Sequence, residues 1–114
     1  MTCRPVSGME HVFDIDIDRR ERVTVLTVSG EVDLATAPLL DERLTEAIAD
    51  GEATVIVNLD RVSFMDSTGL QVLIAHATPG RNGDRVRLTK GSAQVQKLFR
   101  VSGIHDRLPF VPDE

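Results

Sequence analysis

The segment DSTG at residues 66–69 is the part of this chain whose residue types and spacing point most clearly to chemistry. It follows the apolar run TVIVNL at 54–59 and precedes the apolar stretch LQVLIA at 70–75. This pattern predicts a strand, a short connection and the start of a helix. A hydroxyl at a helix start faces unpaired backbone N–H groups, where the helix dipole favours added negative charge. Ser67 is therefore a suitable acceptor for a reversible phosphate, although serine is also a common N-cap residue.

The neighbours of Ser67 bear on this choice. Thr68 and Gln71 fit the T-x-x-Q capping box, which would cap the helix without Ser67. Gly69 lies in the first turn, although glycine costs about 1 kcal/mol relative to alanine in a helix interior. Two explanations fit this glycine: the backbone of another molecule comes close to it, or the tight strand-to-helix turn requires it.

The composition limits the class of protein. The chain has 114 residues, of which 41% are hydrophobic and 27% charged, as expected for one soluble globular domain. A net charge of −5 and the lack of Trp and Tyr argue against a nucleic-acid partner. No apolar run approaches the roughly 20 residues of a membrane span, and the first residues lack the apolar core of a secretory signal. We expect a cytoplasmic protein with no membrane partner, and the single Cys3 excludes an internal disulfide.

Hydrophobic periodicity predicts the element order β-β-α-β-α-β-α-β. The predicted strands lie near residues 13–17, 23–28, 53–59, 85–89 and 108–111, and the helices begin near Pro38, Ser67 and Ser92. We therefore predict an α/β fold with a mixed, mostly parallel sheet of about five strands and helices packed against it. Residues 1–11 are predicted to form a flexible leader, and residues 12–114 the domain.

The predicted topology brings distant residues together. If the second and third strands are parallel neighbours, their carboxyl ends lie at the same edge of the sheet. Asp33 follows the second strand, and Asp66 and Ser67 follow the third. Because neighbouring strands lie about 4.8 Å apart, we expect Asp33 within roughly 10 Å of Ser67. Both aspartates are also suitable helix caps, and a cap is compatible with a role in a site.

The same residues do not indicate an enzyme. A serine hydrolase needs a histidine within hydrogen-bond reach of its serine. On a continuous helix His76 would lie about 180° around the axis from Ser67 and roughly 13.5 Å along it. Spacing does not exclude His11 or His105, but no motif favours them, and there is no G-x-S-x-G, phosphate-binding loop or paired metal-ligand spacing. We expect no catalytic residue, no metal and no cofactor.

Three segments resemble a known family. SFMDSTGLQVL at 63–73 resembles the phosphorylation-site segment of the anti-sigma factor antagonists, small bacterial proteins of the STAS-domain family. VTVLTVSGEVDLATAPLL at 23–40 resembles the second strand and first helix of that family, with a Gly-Glu-x-Asp turn that ends at Asp33. SAQVQKLFRVSGI at 92–104 resembles its late helix. In this order the segments place most of residues 12–111 on the family pattern.

The resemblance implies a partner switch in transcription regulation and stress response. The unphosphorylated chain would bind an anti-sigma factor that is also a serine kinase, and a sigma factor would be released. The kinase, which carries the ATP and Mg²⁺, would phosphorylate Ser67, and a Ser/Thr phosphatase would reset it. Asp33, Asp66, Thr68 and Gly69 are the implied recognition residues. The alternative is a STAS scaffold or transport-associated interaction module that is not phosphorylated.

Overall fold

The chain folds into a β-sheet with helices packed against it. A computed structural model describes residues 13–49, 54–77, 85–104 and 108–110. The elements of these ranges are β1 (Asp14–Arg19), β2 (Val23–Val32), α1 (Ala37–Ala49), β3 (Thr54–Met65), α2 (Ser67–Ala77), β4 (Val86–Leu88) and α3 (Ala93–Val101). The predicted leader over residues 1–11 lies outside the described residues. None of the described helices is long and apolar enough to span a bilayer.

The four strands lie in the order β1-β2-β3-β4. The β1 and β2 strands form the predicted antiparallel hairpin, whereas β3 is parallel to β2 and β4 is parallel to β3. The predicted α/β fold with a mixed sheet is therefore confirmed. Instead of a fifth strand, the described residues near the end of the chain contain one isolated bridge, which pairs Phe110 with Leu88.

One hydrophobic core lies between the sheet and the helices. The α1 helix connects β2 to β3, and α2 connects β3 to β4, so both connections lead to the next strand on the same side. Because such crossovers are right-handed, α1 and α2 lie on the same face of the sheet. Every second residue of β2 from Thr24 to Val32 is buried on that face. The largest fully buried side chains come from all three helices and from β2, β3 and β4: Leu26, Leu40, Leu44, Leu59, Met65, Leu73, Leu88 and Phe99.

The two central strands are longer than predicted. The third strand was expected to end at Leu59, but β3 continues to Met65 and pairs with β2 up to Val32. The register shifts twice along this pair, and such bulges interrupt the alternation of buried and exposed residues from which a strand is predicted. The expected Gly-Glu-x-Asp turn is corrected for the same reason. Its first three residues belong to β2, and the turn begins at Asp33.

The last helix has the ends that its sequence predicts. The hydroxyl of Ser92 accepts a hydrogen bond from the backbone N–H of Val95 at 3.4 Å, so Ser92 is the N-cap of α3. Gly103 follows the C-cap residue Ser102 and has a φ of 77°, a backbone conformation that glycine adopts without strain.

Candidate functional site

The site lies at the edge of the sheet where β2 and β3 end. Val32 and Met65 form the last pair between these strands. The backbone N–H of Asp66 then donates a hydrogen bond to the carbonyl of Val32 at 3.1 Å. Asp33 and Asp66 therefore follow neighbouring strand ends at the same edge, as predicted from the parallel arrangement.

Asp66 is the N-cap of α2. Its Oδ1 accepts hydrogen bonds from the backbone N–H of Thr68 at 2.9 Å, from that of Gly69 at 3.4 Å, and from the Thr68 hydroxyl. The Thr68 hydroxyl is the main reason that the pKa of Asp66 lies below its ordinary value of 3.8, and the two backbone N–H groups lower this pKa further. Asp66 therefore carries a negative charge at neutral pH.

Two predictions about the start of α2 are wrong. The Thr68–Gln71 capping box does not form, because the Thr68 hydroxyl donates to Asp66 and Thr68 lies inside the helix. The backbone N–H groups expected to be unpaired near Ser67 are occupied as well, because the carboxylate of Asp66 binds two of them. A negative charge is thus already present where the sequence suggested room for a phosphate.

Ser67 is the first residue of α2, and its side chain is exposed. Because Asp66 caps the helix, the Ser67 hydroxyl is not needed as a cap. It makes no hydrogen bond to any residue in the described parts of the chain. The structure therefore presents an accessible hydroxyl next to an ionised carboxylate at the start of α2.

Asp33 orders the turn between β2 and α1. Its Oδ1 accepts hydrogen bonds from the backbone N–H groups of Ala35 at 3.0 Å and Thr36 at 3.2 Å. The Thr36 hydroxyl accepts a hydrogen bond from the Asp33 backbone N–H at 2.9 Å and donates one to the carbonyl of Glu31 at 2.8 Å. Asp33 thus orders the turn that precedes α1 rather than capping the helix itself, because both donors lie before Ala37, and these bonds fix its carboxylate at the sheet edge.

Gly69 is required by packing inside the molecule. It is buried, and a Cβ atom added to it would lie 2.6 Å from Cγ1 of Val32 and 2.8 Å from Cγ of Met65. Only a residue without a side chain allows α2 to come this close to the ends of β2 and β3. Of the two explanations offered by the sequence, the packing favours the one within the chain.

A groove of about 400 Å³ between α1 and α2 extends the site. The residues that line it are mainly apolar: Leu34, Ala37, Pro38, Asp41, Thr68, Gln71, Val72 and Ala75. Leu34 is 74% exposed and directly follows Asp33. Sequence reasoning missed this surface, although an isolated leucine in a polar turn was a signal for it.

The described histidine lies away from Ser67. His76, in the last turn of α2, contacts Asp41 of α1, with 2.6 Å between Nε2 and Oδ1, so this pair connects the two helices. His11 and His105 lie outside the described residues. Within the described ranges there is no group of three or more His, Cys, Asp or Glu side chains suited to hold a metal ion.

Comparison with known proteins gives the family. The STAS domain model matches residues 14–114. The chain is 33% identical over 95 residues to an anti-sigma-B factor antagonist of Staphylococcus aureus. The matched region covers 82% of this chain and 88% of that protein. It is also 35% identical over 98 residues to the anti-sigma-F factor antagonist RsfB of Mycobacterium tuberculosis, with 75% of this chain and 79% of that protein covered.

Solved structures share the fold. An anti-sigma factor antagonist from Mycobacterium paratuberculosis is similar with a TM-score of 0.77 and 23% identity, over 94% of this chain and 92% of that one. The antagonist SpoIIAA in its unphosphorylated form is similar with a TM-score of 0.68 and 25% identity, over 88% and 90% of the two chains. The phosphorylated form of SpoIIAA from Bacillus is similar with a TM-score of 0.62 and 24% identity, over 88% of this chain and 93% of that one. The resemblance stated from the sequence is confirmed, and the chain belongs to the STAS domain family.

Proposed function

We propose that this chain is an anti-sigma factor antagonist that binds an anti-sigma factor when unphosphorylated and is switched off by phosphorylation of Ser67. The observation that carries the proposal is the accessible Ser67 hydroxyl beside the capping carboxylate of Asp66. The similarity to anti-sigma factor antagonists of Staphylococcus aureus and Mycobacterium tuberculosis supports the antagonist function. The two forms of SpoIIAA support a phosphorylated state.

Electrostatics explains how a phosphate would act. A phosphate adds roughly −1.5 to −2 charge at neutral pH. Because Asp66 already occupies the N–H groups of Thr68 and Gly69, the phosphate gains little from the helix start and instead adds to an existing negative charge. An unpaired charge buried at an interface costs about 2–5 kcal/mol, which lowers affinity by roughly thirty-fold to several thousand-fold. Phosphorylation therefore breaks a complex without unfolding the domain.

The surface around Ser67 supplies the contacts for a partner. Leu34 and the groove between α1 and α2 provide apolar area beside the two aspartates. An exposed apolar patch with a charged rim is typical of a protein-binding surface. In this arrangement the apolar groove contributes affinity for the partner, and the phosphorylation state of Ser67 beside the groove controls binding.

The implied recognition residues have separate tasks in this proposal. Asp33 and Asp66 present their charges to the kinase, while Thr68 orients the Asp66 carboxylate and Gly69 allows the close packing that holds the segment. The partner kinase supplies ATP and Mg²⁺, and a Ser/Thr phosphatase removes the phosphate. This function requires no catalytic residue, cofactor, nucleic acid or membrane on the side of this chain, and it belongs in the cytoplasm.

The experiment that tests the acceptor is phosphate mapping. The full chain is incubated with its anti-sigma kinase and ATP, and the modified residue is identified by mass spectrometry. We expect one phosphate on Ser67, none on the Ser67→Ala variant, and normal modification of the Ser63→Ala control, since Ser63 is also exposed. A phosphate mainly on Thr68 or Ser63 contradicts the assignment. Covalent labelling of Ser67 by a fluorophosphonate would indicate a hydrolase instead.

A further inference from the structure

The face of the sheet opposite the helices, here called the open face, carries its own pattern. The buried residues of β2 and β3 point to the core, whereas Val23, Val25 and Ile56 alternate with them and are only half-buried. These three residues are not among the hydrophobic side chains that pack against the core. Within the described ranges, the helices contribute their buried side chains to the core on the other face.

One row of residues crosses the open face from edge to edge. Asp18 pairs with Val25, Val25 pairs with Ile56, and Ile56 pairs with Arg87. Directly paired residues on neighbouring strands project to the same face of a sheet. The row therefore has an acidic residue on β1, apolar residues on β2 and β3, and a basic residue on β4. Asp14 and Asp16 extend the acidic side along β1.

We propose that two copies of this chain associate through their open faces, related by a two-fold axis that runs parallel to the strands. Rotation about such an axis exchanges the two edges of the sheet. Asp18 of each copy then lies over Arg87 of the other, and Val25 lies over Ile56. Each pairing occurs twice, as a two-fold interface requires.

The order of charges selects this axis. A two-fold axis that runs across the strands would place β1 over β1 and β4 over β4, so that aspartates face aspartates and arginine faces arginine. Like charges opposite each other are destabilising, so the parallel axis is favoured. It also gives the nearly aligned strand directions that are common when two sheets pack face to face.

The interface is expected to be weak. Six residues on each of β1, β2 and β3 and three on β4, with strands about 4.8 Å apart, cover only roughly 330 Å², about two fifths of the surface that each partner buries in a standard interface. The net charge of −5 adds repulsion between copies. Both charged residues also interact within their own chain, Asp18 in a surface ion pair with Arg20 at 2.8 Å, and exposed pairs cost little to exchange because they contribute little. We therefore expect a dissociation constant of about 10 μM to 1 mM.

Charge reversal tests the proposal with the full chain. Asp18→Arg and Arg87→Asp each make both edge contacts repulsive, so each variant alone should dissociate at least about tenfold more readily. In a 1:1 mixture of the two variants every edge contact again joins opposite charges. The mixture should therefore associate about as strongly as the wild type. Sedimentation equilibrium over a concentration series at low salt measures the wild type, the two variants and their mixture.

Matched controls separate this interface from general charge effects. Glu42→Arg and Lys97→Asp change the charge by the same amounts on exposed positions of α1 and α3, and they should leave the dissociation constant within about threefold. Melting curves confirm that each variant is folded. A wild type that is monomeric up to about 1 mM overturns the proposal. So does a mixture that associates no more strongly than either variant alone.

Discussion

Asp33 and Asp66 occupy equivalent positions at the ends of neighbouring strands. In each case the carboxylate accepts hydrogen bonds from the backbone N–H groups two and three residues later, and the bond from the Asp66 N–H to the Val32 carbonyl joins the two turns. These bonds therefore hold two carboxylates at one edge of the sheet. Ser67 follows the second of them, so a change in charge at this edge acts directly on the residue proposed as the switch.

The first prediction concerns Asp33. Asparagine caps helices about as well as aspartate, so Asp33→Asn removes the charge while it keeps the turn. We expect phosphorylation of Ser67 by the kinase to slow by about tenfold, equivalent to roughly 1.4 kcal/mol, with a melting temperature within about 4 °C of the wild type. Glu42→Gln, an exposed charge removal on α1, is the control for rate. A normal rate combined with a much lower melting temperature would show that Asp33 is only structural.

The second prediction concerns the charge of Asp66. Because hydrogen bonds lower its pKa in the folded state, the ionised form stabilises the fold. This contribution is fully present above pH 3.8, the ordinary value, and is lost as the pH falls through the lowered pKa. Asp66→Asn retains the capping oxygen but does not titrate. At pH 7 the wild type should have a larger free energy of unfolding in urea than Asp66→Asn. This difference between the two proteins should shrink as the pH is lowered from about 5 to 2. A difference that does not change with pH contradicts this account.

Local patterns predicted much of the fold and the position of the site. The hairpin follows from the alternation in β1 and β2, and the Ser92 cap follows from residues a few positions apart. The meeting of Asp33 and Asp66 follows from two parallel neighbouring strands joined by a helix, because the carboxyl ends of such strands lie at the same edge of the sheet. Each of these features depends on short-range chemistry or on general topology.

Other features depend on contacts that the sequence does not display. The β3 strand continues to Met65 because β2 pairs with it through two register shifts. The Thr68 hydroxyl donates to Asp66 instead of forming the expected capping box with Gln71. The need for glycine at 69 comes from Val32, which lies thirty-seven positions earlier in the sequence. Tertiary packing determines the length of β3 and the need for glycine at 69, whereas the Thr68 bond is local.

The third prediction tests that packing. In Gly69→Ala the new Cβ would lie 2.6 Å from Cγ1 of Val32, so neighbouring groups must move. We expect a loss of about 1–3 kcal/mol of unfolding free energy, measured by chemical denaturation. Adding Val32→Ala removes the clashing methyl group, so the double variant should lose less than the sum of the two single changes.

Gly103→Ala is the matched control for the third prediction. Among the described residues, and apart from its neighbours in the chain, no atom lies within 4 Å of a Cβ added at Gly103, and its φ of +77° makes alanine unfavourable for backbone reasons alone. Val32→Ala should therefore not relieve it. Additive losses for Gly69→Ala and Val32→Ala would show that α2 adjusts without contact between these positions, and would contradict the packing explanation.

The last prediction concerns binding, and it separates a switch from a residue that is merely modified. Ser67→Ala keeps the surface beside Asp66 free of added charge, so it should bind the anti-sigma factor about as well as the wild type. Phosphorylated wild type should lose at least about 1.4 kcal/mol, a tenfold drop in affinity, because its charge adds to that of Asp66 in the contact region. Ser67→Glu adds one charge and a different shape, so its loss should be smaller. Calorimetric titration of these forms measures the order. Equal affinity for the phosphorylated and unphosphorylated chains would mean that Ser67 does not control the complex, and would favour a STAS scaffold.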